Sequence, residues 1–252
     1  MYHAVDDVLP RLDELQLIDR LVPPEDAKTL EDAKLVKYVR DHGRLHPKIV
    51  GQRKISRTDI FEVLFGPDNA AKRKAHLAFD SAYQKYVGKV VPLEQDAMEQ
   101  LQRLLSLDIQ LGVITNRKRS FMQHELALVD DSNWHNLFAV LSCGDDVEHR
   151  KPAPDLIYHA LEQLDAPADS HCWYMGDSTT DIIAARRAGV TPIFFNGAHW
   201  DQAWLDKIFP GTITHPHQPD TVVNSLAQLV ELTRLMIAND KRVSRAQHDA
   251  SG

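Results

Sequence analysis

Residues 173–189 read W-Y-M-G-D-S-T-T-D-I-I-A-A-R-R-A-G. An apolar run stops at Gly176-Asp177, a second carboxylate, Asp181, follows four residues on, and an amphipathic pattern begins at once. The run suits a strand buried on both faces of a parallel sheet, and Thr180 to Ala188 repeats its apolar residues at helical spacing. A strand that breaks on glycine into a helix is the repeating unit of an α/β fold, and the carboxyl end of that strand is where such folds bind ligands.

The same unit recurs on either side. Apolar runs at 109–114, 137–143 and 192–195 alternate with helical patterns at 99–106, 121–128 and 154–164, and a closing helix is expected from Thr221 to Ile237. Residues 92–238 are therefore expected to form a doubly wound parallel sheet, Rossmann-like in layout. Residues 1–91 carry no strand signal. Val5, Val8, Leu9, Leu12 and Leu15 mark one helix face there, and further helices are expected over 25–42, 56–65 and 69–86. The expectation is an all-helical domain over 1–91, an α/β core over 92–238, and a polar, disordered tail over 239–252.

The 252 residues are 43% apolar and 26% charged, an ordinary globular balance that permits a sizeable core. No apolar run nears the ~20 residues that cross a bilayer, and the N-terminus has no signal-peptide pattern, so a cytoplasmic location with no membrane partner is expected. The net charge of −7 argues against a nucleic-acid partner, which would need a basic face. Cys143 and Cys172 both lie in apolar runs and read as small core residues, not as a disulfide or a thiolate metal site.

The residues that end the apolar runs form a set. The first run ends in Thr115-Asn116, the second leads through Gly144-Asp145-Asp146 to Lys151-Pro152, and the third ends in Gly176-Asp177 with Asp181 beyond. A hydroxyl, an amide, an ammonium and two carboxylates on one rim suit phosphoryl transfer, where the protein must hold three equatorial oxygens and offset their charge. Asp177 and Asp181 are hard oxygen ligands of the kind Mg²⁺ takes. Each element alone has a plain reading: Thr-Asn as turn chemistry, Lys before Pro as a solvated loop, and Asp181 as a first-turn residue favoured by the helix dipole. Three such elements at the carboxyl ends of successive strands, in one register, are hard to produce by chance.

On these residues the sequence resembles the haloacid dehalogenase superfamily of phosphohydrolases, and within it the phosphoglycolate phosphatase-like members with a helical cap. The resemblance runs from Pro92 to about Ile237, through G-V-I-T-N, G-D-D-V-E-H-R-K-P-A-P-D and Y-M-G-D-S-T-T-D. It implies Mg²⁺-dependent hydrolysis of a small phosphorylated metabolite through an aspartyl-phosphate. Thr115, Asn116 and Lys151 would be catalytic, Thr115, Asn116, Arg117 and Lys151 would bind the phosphate and substrate, and Asp177 with Asp181 would hold the metal directly or through water. The helical first half would be the cap that selects substrates. Family members open with a central strand ending in Asp-X-Asp, whose first Asp is the nucleophile, and no Asp-X-Asp occurs in this chain. The departure implies negligible turnover by the family mechanism and a sheet whose central neighbours face each other unpaired. It points to an upstream segment of about fifteen residues, one short strand and its loop, with a compensated fold as the alternative. A catalytically silent homologue that binds a phosphate ligand or a protein, and a phosphomutase or phosphonate hydrolase on the same scaffold, stand as alternative functions. The sequence is silent on oligomeric state.

Arg117-Lys118-Arg119 places positive charge at a helix start, where the dipole disfavours it; an anionic substrate or a solvated turn would each explain it. Lys48, Arg53, Lys54 and Arg57 read as a charged loop or as contacts to a leaving group. His215 and His217 lack acidic or thiol partners at useful spacing and read as a loop.

Overall fold

The computed structural model describes residues 2–48, 55, 57–86, 90 and 92–249, with the side chains of 130–133 and 243–249 left aside. Two compact units divide at Val87 and Gly88. The first is helical: α1 (Tyr2–Val8), α2 (Leu30–His42), α3 (Arg57–Phe65) and α4 (Asn69–Tyr83), linked by 3-10 turns. Thr29 caps the start of α2 by accepting from the Asp32 amide, and Gly43, at φ 60°, ends it in the left-handed conformation that glycine tolerates. The inward faces of these helices, led by Val5, Val8, Val36, Ile60, Phe61 and Leu64, make a core of their own.

The second unit runs α5 (Ala97–Leu105), β1 (Gly112–Thr115), α6 (Arg119–Leu128), β2 (Val140–Cys143), α7 (Asp155–Gln163), β3 (Trp173–Gly176), α8 (Thr179–Ala188), β4 (Thr191–Phe195), α9 (Gln202–Ile208), β5 (Thr221–Val223) and α10 (Leu226–Asp249). Every strand pairing is parallel. Side chains alternate between two helical layers. Trp173, Met175, Ile193, Phe195 and Val223 pack with Leu104, Leu229 and Val230 of α5 and α10. Tyr174 and Ile114 face Ile157, Ala184, Ala185 and Ala188 of α7 and α8, and Phe194 and Val222 face Ile182, Leu205 and Phe209. Helices on both faces make this the doubly wound arrangement, and buried flanks explain why the strands read as apolar runs.

Three boundaries differ from the sequence reading. Thr221–Val223 is a strand, and the last helix begins only at Leu226. The β-branched Thr-Val-Val stretch pairs with Ile193–Phe195 of β4 and gains a ladder that a helix would forgo. Gln202–Ile208 is a helix that the pattern did not predict, started by Asp201 accepting from the Trp204 amide. The tail expected to be disordered from Asn239 continues α10 to Asp249, since nothing from Asn239 to Asp249 is a glycine or proline that would stop it.

The strands form two sheets, β1-β2 and β3-β4-β5, and not one. The α7–α8 layer spans both, because Ile114 of β1 and Tyr174 of β3 pack into the same cluster. The Ala139 amide donates to the Leu111 carbonyl at 2.8 Å, so alternation turns the main-chain groups of Gly112 and Ile114 to the other edge of β1. The Thr191 amide donates to the Cys172 carbonyl at 2.9 Å, which likewise turns those of Trp173 and Met175 to the other edge of β3. Among the described residues no strand pairs with either of these edges. Amide hydrogen exchange followed by NMR should therefore find Trp173 and Met175 exchanging at least about a hundredfold faster than Ile193 and Phe194 of doubly paired β4. Equal protection in β3 and β4 would show that the open edge is filled in solution.

Candidate functional site

Near the carboxyl ends of β1 and β3, Asn116, Lys151 and Asp181 come together with one ammonium group at the centre. Lys151 Nζ donates to the Asp181 carboxylate at 2.7 Å, to the Tyr174 hydroxyl at 2.8 Å and to the Ile114 main-chain carbonyl at 3.3 Å. An ammonium has three protons, and these acceptors engage all of them. The Ile114 carbonyl belongs to the open edge of β1, so Lys151 satisfies a strand group that has no ladder partner.

Asp181 is equally satisfied. Oδ1 accepts from Lys151 and, at 3.1 Å, from the Tyr174 hydroxyl. Oδ2 accepts from the Ser178 amide at 3.1 Å and the Ser178 hydroxyl at 2.7 Å. The Ser178 bonds are a capping box, which places Asp181 in the first turn of α8 with its carboxylate turned back on the helix start. Gly176 is required by the same geometry, since a Cβ there would lie 2.3 Å from Cβ and Cγ of Asp181. The side chains of Lys151 and Asp181 are 10% and 7% exposed. Burial alone would push the Asp181 carboxyl up, but the Lys151 charge and the donors from Lys151, Ser178 and Tyr174 outweigh it and hold the group below the usual carboxylate range. Burial, and then the Asp181 charge, drive the Tyr174 phenol well above its ordinary value, so it stays protonated and able to donate.

Asn116 holds this pair from the end of β1. The Asn116 side-chain carbonyl accepts from the Lys151 amide at 2.9 Å, and its NH₂ donates to the Lys151 carbonyl at 3.1 Å. The amide thus grips both main-chain groups of the lysine and orients it. Gly144 lets this loop approach, because a Cβ there would lie 2.3 Å from the Asn116 carbonyl oxygen. The Thr115 hydroxyl accepts from the Arg117 amide at 3.1 Å, a turn that ends β1 and leaves its own proton to donate. Asp177 follows Gly176 at the end of β3 and is exposed.

The basic run after Asn116 is occupied differently. The Arg117 guanidinium pairs with the buried carboxylate of Glu125, and Arg119 donates to both oxygens of Asp146 and to the Leu141 carbonyl. These internal partners account for two cations at a helix start. In the helical unit Arg57 pairs with Asp80 at 2.7 Å and lies over the Phe79 ring; Arg53 and Lys54 lie outside the described residues. His215 and His217 lie apart from any cluster: among the described residues no three His, Cys, Asp or Glu gather around a metal position. Both cysteines are free thiols.

Two members of the site escaped the sequence reading. Ser178 was legible in principle, as S-T-T-D opening an apolar helix is a capping signature. Tyr174 was hidden inside an apolar run, although a tyrosine buried in a strand must find a partner for its hydroxyl.

A doubly wound core with helices on both faces carries Thr115, Asn116, Asp177 and Asp181 near the carboxyl ends of β1 and β3, and defines a class of parallel α/β protein with a polar rim. Residues 48–195 match the family described as haloacid dehalogenase-like hydrolase, more than half of the chain, and the protein belongs to that family. It is 28% identical over 172 residues to a phosphoglycolate phosphatase of Colwellia psychrerythraea, covering 66% of this chain and 73% of that one. It is 31% identical over 135 residues to a phosphoglycolate phosphatase of Xanthomonas campestris, covering 53% of this chain and 59% of that one. It is 28% identical over 134 residues to the pyrophosphatase PpaX of Bacillus mycoides, covering 53% of this chain and 56% of that one. The chain thus spans little more than half the length of the last two relatives. The fold is shared with a Bacteroides fragilis protein assigned to the haloacid dehalogenase-like hydrolases, at a TM-score of 0.59 and 22% identity over 79% of this chain and 92% of that one. A Pseudomonas syringae hydrolase gives a TM-score of 0.55 at 17% identity over 80% of this chain and 90% of that one.

Because the Asp181 carboxyl is depressed in the folded protein, its stabilising contribution is complete above the ordinary carboxylate range and is lost as pH falls through its folded value. Thermal unfolding of the wild type should therefore drop more steeply between about pH 5 and pH 2 than that of Asp181→Asn. Parallel acid limbs for the two proteins would show that the Lys151–Asp181 pair contributes nothing to stability.

Proposed function

We propose that the rim formed by Thr115, Lys151, Asp177 and Asp181 is the phosphoryl site of a Mg²⁺-dependent phosphatase acting on a small phosphate monoester. The observation that carries this reading is the buried ammonium of Lys151, gripped by Asn116 and paired with Asp181 at the carboxyl ends of two strands. The phosphatase and pyrophosphatase names of its relatives support it. Thr115 would donate its hydroxyl proton to a phosphoryl oxygen, and Lys151 would offset the charge that oxygen carries. The donor set fits Mg²⁺, which takes one or two carboxylates plus waters and substrate phosphate. Asp177 would be the direct ligand and Asp181, with both oxygens already engaged, would act through water. When bound, the ion would neutralise charge on the transferring group.

Hydrolysis through an aspartyl-phosphate also needs a carboxylate that no Asp-X-Asp in this chain supplies. The reading assigns it to a further strand seated between β1 and β3, parallel to both, with its carboxyl end beside Lys151. The open edges of β1 and β3 over one helical layer favour this placement. A second reading, a silent homologue that only binds, is favoured by one fact: every proton of Lys151 already has an acceptor within the protein.

The test is turnover of an aryl phosphate with and without Mg²⁺, by this chain and by the same chain extended with an apolar strand ending in Asp-X-Asp. This chain should show only background hydrolysis. The extended form should show Mg²⁺-dependent turnover that Asp177→Asn lowers by about a hundredfold or more. An extended, folded protein that binds phosphate but turns nothing over favours the silent homologue. Hydrolysis by this chain alone, unaffected by Asp177→Asn, excludes both readings.

A further inference from the structure

The proposed chemistry leaves one half-buried polar side chain at the rim without a role, Tyr174. Its ring packs among Ile157, Ala184, Ala185 and Ala188 beside Ile114, which a phenylalanine would do equally well. Its hydroxyl leaves that apolar layer and closes a three-membered cycle, accepting from Lys151 Nζ at 2.8 Å and donating to Asp181 Oδ1 at 3.1 Å while Lys151 donates to the same Oδ1 at 2.7 Å. Of the three groups only the hydroxyl can both donate and accept.

The cycle sets a condition on any anion at the rim. With all three of its protons engaged, Lys151 must release an internal acceptor before it can bind a phosphoryl oxygen. Asp181 is 7% exposed, and a buried carboxylate abandoned by its cation is strongly unfavourable unless other donors stay with it. The Ser178 amide and hydroxyl both serve Oδ2. Oδ1 has Lys151 and Tyr174. We propose that Tyr174 is a positioning residue that frees Lys151 for a phosphoryl anion, by holding Asp181 Oδ1 when the ammonium turns away. The inference rests on the reading of the rim as a phosphate site.

The test uses inorganic phosphate with Mg²⁺ and this chain as wild type and Tyr174→Phe. Calorimetric titration should show phosphate binding about tenfold weaker in Tyr174→Phe, the order expected when a hydrogen bond to a charged group is lost. The wild type should also give a saturable near-UV tyrosine difference spectrum as the hydroxyl loses the hydrogen bond it accepts from Lys151, and Tyr174→Phe should lack it. The spectrum separates positioning from mere packing, since a structural tyrosine would not report the anion. Equal affinities in the two proteins overturn the inference, as does wild-type binding with no tyrosine signal; the latter holds even if Tyr174→Phe fails to fold. Wild-type protein that binds no phosphate overturns the phosphate-site reading and this inference with it.

Discussion

The structure of the rim follows from a cation and an anion held almost out of water. Removing a carboxylate and an ammonium from solvent costs several kcal/mol per ion, and their attraction offsets that only when the remaining protons and lone pairs are also satisfied. Lys151 and Asp181 meet this condition through neighbours that each have one task. Ile114 and Tyr174 take the spare protons of the lysine, and Ser178 and Tyr174 fill the carboxylate. Asn116 fixes the lysine backbone and Gly176 leaves room for the aspartate. Changing Tyr174 or Ser178 takes a side-chain partner from a buried charge, and changing Asn116 or Gly176 disturbs the backbone that presents one, so the local conformations of β1, β3 and the start of α8 are tied to one ion pair.

The same pair bears on the divided sheet. An open edge on an inner strand exposes main-chain groups that are costly when dry. Here the edges are short: β1 and β3 have four residues each, so alternation places only Gly112 and Ile114, and Trp173 and Met175, on them. One of those carbonyls, that of Ile114, is satisfied by Lys151. Both strands are half-exposed along most of their length, against the buried centre of β4. Two partial sheets on one continuous helical layer are thus compatible with a folded core, although each inner strand lacks half of its ladder.

Most of this was legible from periodicity and punctuation. The apolar runs ending in Thr115, Cys143, Gly176 and Phe195 stop where the strands stop, because a strand flanked by helices on both faces carries mostly apolar side chains until it reaches the rim. What periodicity could not deliver was partner identity. Arg117 and Arg119 read equally as contacts to an anion or as a solvated turn, and their internal partners, Glu125 and Asp146, were not legible because they are set by the placement of α6 and of the loop after β2. Asn116 read as a rim amide, and its grip on Lys151 depends on a contact across 35 residues of chain. Val222 and Val223 fit a helical pattern as well as a strand, and only pairing with β4 decides between them.

Why the rim uses lysine follows from the same geometry. A guanidinium presents its donors in a rigid plane and would serve two coplanar oxygens best. The acceptors here are a main-chain carbonyl on β1, a phenol on β3 and a carboxylate at the start of α8, which surround one point and do not share a plane with a single partner. An ammonium on a flexible stem matches such a set and can exchange one acceptor for another by rotating its last bonds. On the phosphate-site reading proposed above, turning it from Asp181 to a phosphoryl oxygen would exchange one oxyanion for another, so the change in electrostatic energy would be a difference of two large terms. Whether that difference favours the anion is then decided by the donors that remain on Asp181, which are neutral, local and fixed by α8 and β3.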